Sequence, residues 1–351
     1  MEPVRLGVIG CGVIGTVHMN CLAGHDSVDI VAAADLRQDV VDAAAAKHGA
    51  TAYYTAEALL ADPTVEGVIL AMPTNLRTEL GLKAFAAGKH VLTEKPVALN
   101  GAEVRQLLAA QGDRVAACCS SRYRSLASAQ AATDFLATGA LGDIRSVRCR
   151  AMTQVGGPPN PNPPPWRLSR KLNGGGILVN WGCYDLDYLL GLLQFRLRPQ
   201  QVYAAGWPVA PELSAYAAPG SDAEAHVSFL ARCEGGAVIN YERAEFSGAR
   251  KDSAWEIVGS RGSLALWMPN LADKRLVFTQ VTAGEAATES VVWEGEDDGD
   301  LVHSGPALDF ASAIRHGHPP RTSLADALIV QALTDAVYAS MDSGQAAAVT
   351  L

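Results

Sequence analysis

The chain has 351 residues, more than one ordinary hydrophobic core supports, so two domains are expected. Apolar residues make up 49%, charged residues 19% and aromatics 6%, a balance that favours a folded protein with helices packed on a sheet over an all-β sandwich. The net charge is −9, from 28 basic and 37 acidic residues without a Lys/Arg cluster, which argues against a nucleic-acid surface.

No apolar run reaches about 18 residues, so no membrane span is expected. The first apolar stretch, Val4 to Ile9, is too short for a signal peptide and runs straight into a glycine loop. The seven cysteines form no CxxC pair and suit neither a zinc site nor a disulfide framework. Reduced thiols in a cytoplasmic protein without a metal site are the expectation.

In chain order, the first strand is Arg5–Ile9. The segment after it contains GxGxxG in Gly10, Gly12 and Gly15 and opens a helix, Val13–Ala23, that places Val13, Val17 and Cys21 on one face. Gly10 permits the tight turn, Gly12 lets a pyrophosphate approach the backbone, and Gly15 allows close helix–strand packing. The helix N-terminus offers free N–H groups to phosphates. A second strand, Asp29–Ala34, is followed by Asp35, 20 residues after Gly15. A carboxylate there accepts from ribose hydroxyls and repels a 2′-phosphate, which favours NAD; Arg37 is the residue that would instead take a 2′-phosphate and make NADP the cofactor.

Thr55 caps a short helix before Pro63. Strand Gly67–Ala71 leads through Met72-Pro73-Thr74 into a helix, Asn75–Ala87, ending at Gly88. Strand His90–Thr93 ends in Glu94-Lys95-Pro96. Parallel sheets bind ligands at the carboxyl ends of their strands, and a lysine is costly to bury without work to do, so Lys95 is expected in the cofactor crevice. The expected cofactor contacts are Gly10, Cys11, Gly12, Val13, Ile14, Gly15, Asp35, Arg37, Met72, Pro73, Thr74, Asn75, Glu94 and Lys95. Asn100 and Glu103 resemble a capping box, and Val115–Cys119 is the last strand of the half. Continuous apolar strands alternating with helices imply a doubly wound parallel sheet, a Rossmann domain over residues 1–121.

Residues 122–351 read differently. A helix near Ala127–Ala137 ends at Gly139. Alternating strands follow at Ile144–Val155, Ala225–Cys233, Ala237–Phe246, Ser253–Val258 and Ser263–Met268, with hairpin turns at Glu234-Gly235-Gly236 and Ser260-Arg261-Gly262. This is an α+β domain on a large, mostly antiparallel open sheet. A Pro-rich loop from Pro158 to Pro165 is either an active-site rim or a surface connection. Trp166-Arg167 and Gly174-Gly175-Gly176 precede an apolar helix on which Asn180, Tyr184 and Asp187 fall at i, i+4 and i+7, a polar stripe suited to lining a site.

Together these segments resemble the glucose–fructose oxidoreductase, inositol dehydrogenase and MocA family (Gfo/Idh/MocA) along essentially the whole chain. The resemblance rests on Gly10–Gly15, Ala87–Pro96, Gly139–Gly142, Trp166-Arg167, Gly174–Asp187, Gly259–Leu264, Asp309-Phe310, Ser323–Ser340 and Ser343-Gly344. It implies hydride transfer between NAD(P) and a hydroxyl or ketone of a sugar or cyclitol. It also implies a homo-oligomer, dimer or tetramer, through the C-terminal sheet.

This chain departs from the family's usual Asp-x-Gly-x-His-x-x-Asp helix: Tyr184 stands at the histidine and Asn180 at the first aspartate, while Arg77 replaces a usual histidine. Lys95 and Tyr184 are thus expected to handle the proton, with a neighbouring ammonium lowering the phenol pKa from about 10 by roughly 1–3 units. Asn180, Asp187 and Trp166 are expected to meet the substrate. Arg167 either binds a hydroxyl, carboxylate or phosphate or pairs structurally. The competing functions are an NAD-dependent glycoside hydrolase working by transient oxidation, a non-catalytic NAD(P)-binding regulator, and a reductase of a flat pigment.

Overall fold

The computed structural model describes residues 2–351. It divides into two units: the segment up to Ser125 with Gly299–Leu328, and Leu126–Asp298 with Ile329–Leu351.

The first unit runs β1 (Val4–Ile9), α1 (Val13–Leu22), β2 (Val28–Ala34), α2 (Gln38–His48), β3 (Thr51–Tyr53), α3 (Ala56–Leu60), β4 (Gly67–Leu70), α4 (Thr74–Ala86), β5 (His90–Thr93), α5 (Gly101–Gln111) and β6 (Ala116–Cys118). The sheet order is β3-β2-β1-β4-β5-β6, all parallel. Alternate residues enter opposite cores, Val8 and Ile69 on one face and Ile9 and Leu70 on the other, which is why the strands read as unbroken apolar runs. The order reverses between β1 and β4, where open α/β sheets bind ligands.

The face of α1 that carries Val13, Val17 and Cys21 is not the buried one. Val13 is 88% exposed, and the buried stripe is Gly15, His18, Met19 and Leu22. The cause is Gly15: a Cβ there would meet the Gly10 carbonyl oxygen at 1.8 Å, so the glycine face turns inward. The capping box is also partial. Asn100 Oδ1 accepts from the Glu103 amide at 3.0 Å, but the Glu103 carboxylate accepts from Leu99 N–H and Thr78 Oγ1.

The second unit contains α6 (Ala127–Ala137), β7 (Ile144–Gln154), α7 (Arg170–Asn173), α8 (Cys183–Leu192), β8 (Pro199–Trp207), β9 (His226–Cys233), β10 (Val238–Ser247), β11 (Asp252–Gly259), β12 (Gly262–Leu266), β13 (Lys274–Gln280) and β14 (Thr288–Gly295). Later in the chain come α9 (Leu301–His316), α10 (Leu324–Ser343) and β15 (Ala347–Ala348). The nine strands order as β14-β13-β12-β11-β7-β10-β9-β8-β15; every pair is antiparallel except β7 with β10.

The sequence boundary at 121/122 differs from this division because α9 packs with the first unit. Ala307, Phe310 and Ala311 join the core of Val4, Leu6 and Val8, and Arg315 grips Glu66 at 2.7 and 2.8 Å. Helix α10 is long and apolar enough by composition to cross a membrane, with a mean hydropathy of 1.2 over its best window. Since 61% of that window is buried inside the protein, it serves as a core helix.

Candidate active site

The glycine loop has the geometry its sequence requires. Gly10 sits at φ +94°, and a Cβ there would strike the Ala71 carbonyl oxygen at 2.8 Å. Nothing lies within 4 Å of a Cβ built on Gly12, so that backbone is open to a phosphate. Asp35 ties the loop to β2: its Oδ2 accepts from the Cys11 amide and its Oδ1 from the Arg37 amide, both at 2.9 Å. Partial burial opposes ionisation, but the amides of Arg37 and Cys11 outweigh it and hold the carboxyl below its ordinary value. The Arg37 guanidinium folds back onto the same carboxylate at 3.4 Å. Burial and the Asp35 charge push the Cys11 thiol up to about 11, so it stays protonated.

Glu94-Lys95-Pro96 follows β5 and turns through a cis Lys95–Pro96 bond. Lys95 is half-buried and Glu94 buried. Glu94 Oε1 meets His18 Nε2 at 2.9 Å and Arg122 Nη2 at 3.0 Å, while its Oε2 accepts from the Lys95 amide at 3.0 Å. Burial raises its pKa, but Arg122 and His18 overcome this and keep it an anion. His18, Glu94 and Cys119 offer ligand atoms within 4.8 Å of one another. The Arg122 guanidinium already occupies the carboxylate, and burial keeps the Cys119 thiol protonated, so the group reads as an ion cluster rather than a cation site. Of this cluster the sequence reading found only Glu94. The available signal was His18, three residues after Gly15 on the inward face of α1.

In the second unit, Leu178–Gly182 forms a π-type turn before α8. The expected α-helical stripe of Asn180, Tyr184 and Asp187 is interrupted there, with Asn180 in the π turn and the other two in α8. Such turns are rare and concentrate at functional sites. Glu224 holds the start: its Oε2 accepts from the Gly176 amide at 3.1 Å and its Oε1 from Leu178 N–H and Tyr338 Oη–H at 3.0 Å. Gly176 is obligatory, since a Cβ would lie 1.8 Å from the Glu224 carbonyl oxygen.

The side chain of Asn180 is committed internally. Its Nδ2 donates to the Arg167 carbonyl at 2.7 Å, and its Oδ1 accepts from Asn173 at 3.1 Å. Asp187 is fully buried, and Tyr184 is 4% exposed, packed edge-on against Trp181 at 5.7 Å. Trp181 lies under the Arg243 guanidinium at 4.7 Å, and Arg243 is anchored by Asp185 at 2.6 Å, which also accepts from Tyr241 and Trp255. Sequence reasoning missed this anchor because its partners lie 56 to 70 residues away. Arg167 pairs with Glu245, and Trp166 is 44% exposed. A cavity of about 360 Å³ is lined by Asn160, Pro163 and Pro164 of the Pro-rich loop with Arg167, Tyr216 and Phe246.

Comparison with known proteins decides the family. Residues 4–118 match the GFO/IDH/MocA oxidoreductase family with its NAD-binding Rossmann fold, and residues 129–265 match the GFO/IDH/MocA C-terminal domain. The 1,5-anhydro-D-fructose reductase of Ensifer adhaerens is 30% identical over 297 residues, covering 83% of this chain and 82% of that protein. The chain belongs to the Gfo/Idh/MocA family.

Among other relatives, the myo-inositol 2-dehydrogenase of Thermotoga maritima is 26% identical over 97% of this chain and 96% of its own. The oxidoreductase domain protein from Kribbella flavida superposes with a TM-score of 0.84 at 26% identity over the full length of both chains. As a family member the protein is an oxidoreductase that uses NAD, and the open backbone at Gly12 and the ionised Asp35 fit that cofactor. Arg77 is buried behind the Glu94-Lys95-Pro96 turn.

Proposed function

We propose that the protein transfers a hydride between NAD and a secondary hydroxyl or ketone of a sugar, keto-sugar or cyclitol, with Lys95 and Tyr184 handling the proton. The observation that carries the reading is the grip on Lys95. A half-buried lysine lies in the turn that follows a strand of an NAD-binding sheet, and its peptide is held on both sides, by Glu94 at N–H and by Arg77 at C=O. The relatives that act on anhydrofructose and inositol make keto-sugars and cyclitols the substrate classes to bring to this chain.

When bound, the nicotinamide accepts or supplies the hydride. Oxidising an alcohol also releases the hydroxyl proton, and ketone reduction needs one returned. In this reading the Lys95 ammonium holds the reacting oxygen, and the Tyr184 phenol takes or gives the proton. Arg167, Asp187 and Trp166 orient the substrate. Asn180 acts through the Arg167 carbonyl it holds. Asp35 binds the adenosine ribose and selects NAD, with Met72, Pro73, Thr74 and Asn75 completing the cofactor contacts.

The second unit, within residues 122–351, supplies the substrate site and a homo-oligomer interface. The exposed Tyr203, Trp207 and Leu230 on β8 and β9 support the interface. Seven free cysteines support a cytoplasmic setting. No observation favours the hydrolase, regulator or pigment-reductase readings.

Lys95→Ala and Tyr184→Phe test the mechanism. Each should leave NADH binding, read by fluorescence titration, nearly unchanged while kcat falls about a hundredfold or more. Tyr184→Phe should also remove the upper limb of the pH profile. Normal turnover in Lys95→Ala removes that residue from the chemistry, and a fully active Tyr184→Phe moves the proton elsewhere.

A further inference from the structure

The turn that carries Lys95 is braced by a residue with no role in the chemistry above. Arg77 lies in α4 and is 3% exposed. Its Nη1 donates to the carbonyls of Glu94 and Pro96, and its Nη2 donates to the Lys95 carbonyl at 3.2 Å and to Thr74 Oγ1 at 2.6 Å. One guanidinium therefore takes three successive carbonyls. On the other side of the Lys95 Cα, its N–H donates to Glu94 Oε2 at 3.0 Å, an oxygen of a carboxylate itself fixed by His18 and Arg122. With both flanking peptide planes held, the direction of the Cα–Cβ bond is held too.

We propose that Arg77 is a positioning residue: it sets the direction in which the Lys95 side chain leaves the turn and affects turnover only through Lys95. The inference rests on Lys95 holding the reacting oxygen. The chemistry of the fork matters, because a planar guanidinium presents five fixed donors and grips several carbonyls at once. A neutral imidazole has one N–H, and an ammonium is a point charge without the planar fork. A histidine in this place would hold at most one carbonyl of the three. Misplacing a reacting group by about 1 Å costs on the order of a hundredfold in rate, so loosening such a grip has a measurable effect.

The test uses the full chain with Arg77→Lys and Arg77→His. Acetic anhydride labelling, read by mass spectrometry, compares Lys95 with the exposed Lys251 and needs no substrate. The Lys95-to-Lys251 labelling ratio should change by about threefold or more, and NADH affinity should stay within about twofold. With the most active of myo-inositol, D-glucose and levoglucosan, kcat should fall about tenfold or more. Adding Arg77→Lys to Lys95→Ala should lower kcat no further than Lys95→Ala alone, because on this proposal Arg77 reaches the reaction through Lys95.

An unchanged labelling ratio overturns the proposal whatever kcat does, as does a double variant whose loss is the product of the two single losses. Failure of both Arg77 variants to bind NADH also overturns it, since Arg77 would then be supporting the fold. If Lys95→Ala alone keeps full activity, the catalytic reading of Lys95 falls, while the labelling ratio still reports whether Arg77 aims the side chain.

Discussion

In the proposed function, Asp35 is the residue that selects NAD. It is ionised and tied to the amides of Cys11 and Arg37, so on the proposed reading it would meet a ribose as a fixed acceptor rather than a mobile one. Hydrogen bonds to a charged group contribute ~1.5–3 kcal/mol, so Asp35→Ser should raise the NAD Kd about tenfold or more and improve NADP binding. Titration of the wild type against both cofactors checks the premise. If NADP binds at least as tightly as NAD, Arg37 governs the site instead. Residues of this kind were legible in the sequence because chemistry at the end of a parallel strand has a place in the chain order. Arg122 was not, because its bond to Glu94 spans 28 residues and no spacing encodes it; the spacing of His18 from Gly15 marks it as inward-facing but does not encode its bond to Glu94, 76 residues away. The grip of Arg77 on Lys95 is likewise a tertiary contact, 18 residues away in the chain.

Among the elements, the π turn into α8 depends on a buried carboxylate. Burial raises the Glu224 pKa, and the Leu178 and Gly176 amides with Tyr338 act against that shift. Glu224→Gln keeps the shape but turns one accepting oxygen into a donor that faces another donor. Leaving such a buried group unsatisfied costs about 1–3 kcal/mol, so urea unfolding should show a loss of that size. Unchanged stability would mean that the cap is not what holds this turn. The turn itself was invisible in the sequence, since Leu178-Val179-Asn180-Trp181-Gly182 is as compatible with an α-helix as with the wider π turn. The strands of the first sheet were legible to within a residue or two, because burial on both faces leaves continuous apolar runs. Five escaped: β3 has three residues and β15 two, β14 has no buried position, β13 begins at a fully buried Lys274 paired with Asp297, and β8, of nine residues, was missed outright.

For the whole molecule, the segment Gly299–Leu328 returns to the first unit, a division that differs from the single boundary at 121/122. Helix α9 is tied to that unit by Glu66, which accepts from Arg315 and from the Arg5 amide. The Arg315 hydrogen bonds are the largest influence on Glu66 and bring its pKa down to about 2. A folded value below the unfolded one means this stabilisation is fully present above the ordinary carboxylate range, and falls away as pH drops through about 4.5 towards 2. Glu66→Gln should lower the Tm at neutral pH and flatten its dependence across that acid window; an unaltered acid profile would show that the pair does not hold α9. At this scale the two-unit plan was legible from the change of periodicity, but not the return of α9, because a boundary read from composition assumes that each unit is one continuous stretch. The central claim is redox turnover of a carbohydrate-like hydroxyl with NAD. The direct measurement is NADH absorbance with myo-inositol, D-glucose and levoglucosan plus NAD, and with 1,5-anhydro-D-fructose plus NADH. A net change with at least one of them is the predicted result. NAD binding without any absorbance change in either direction across the panel would contradict it.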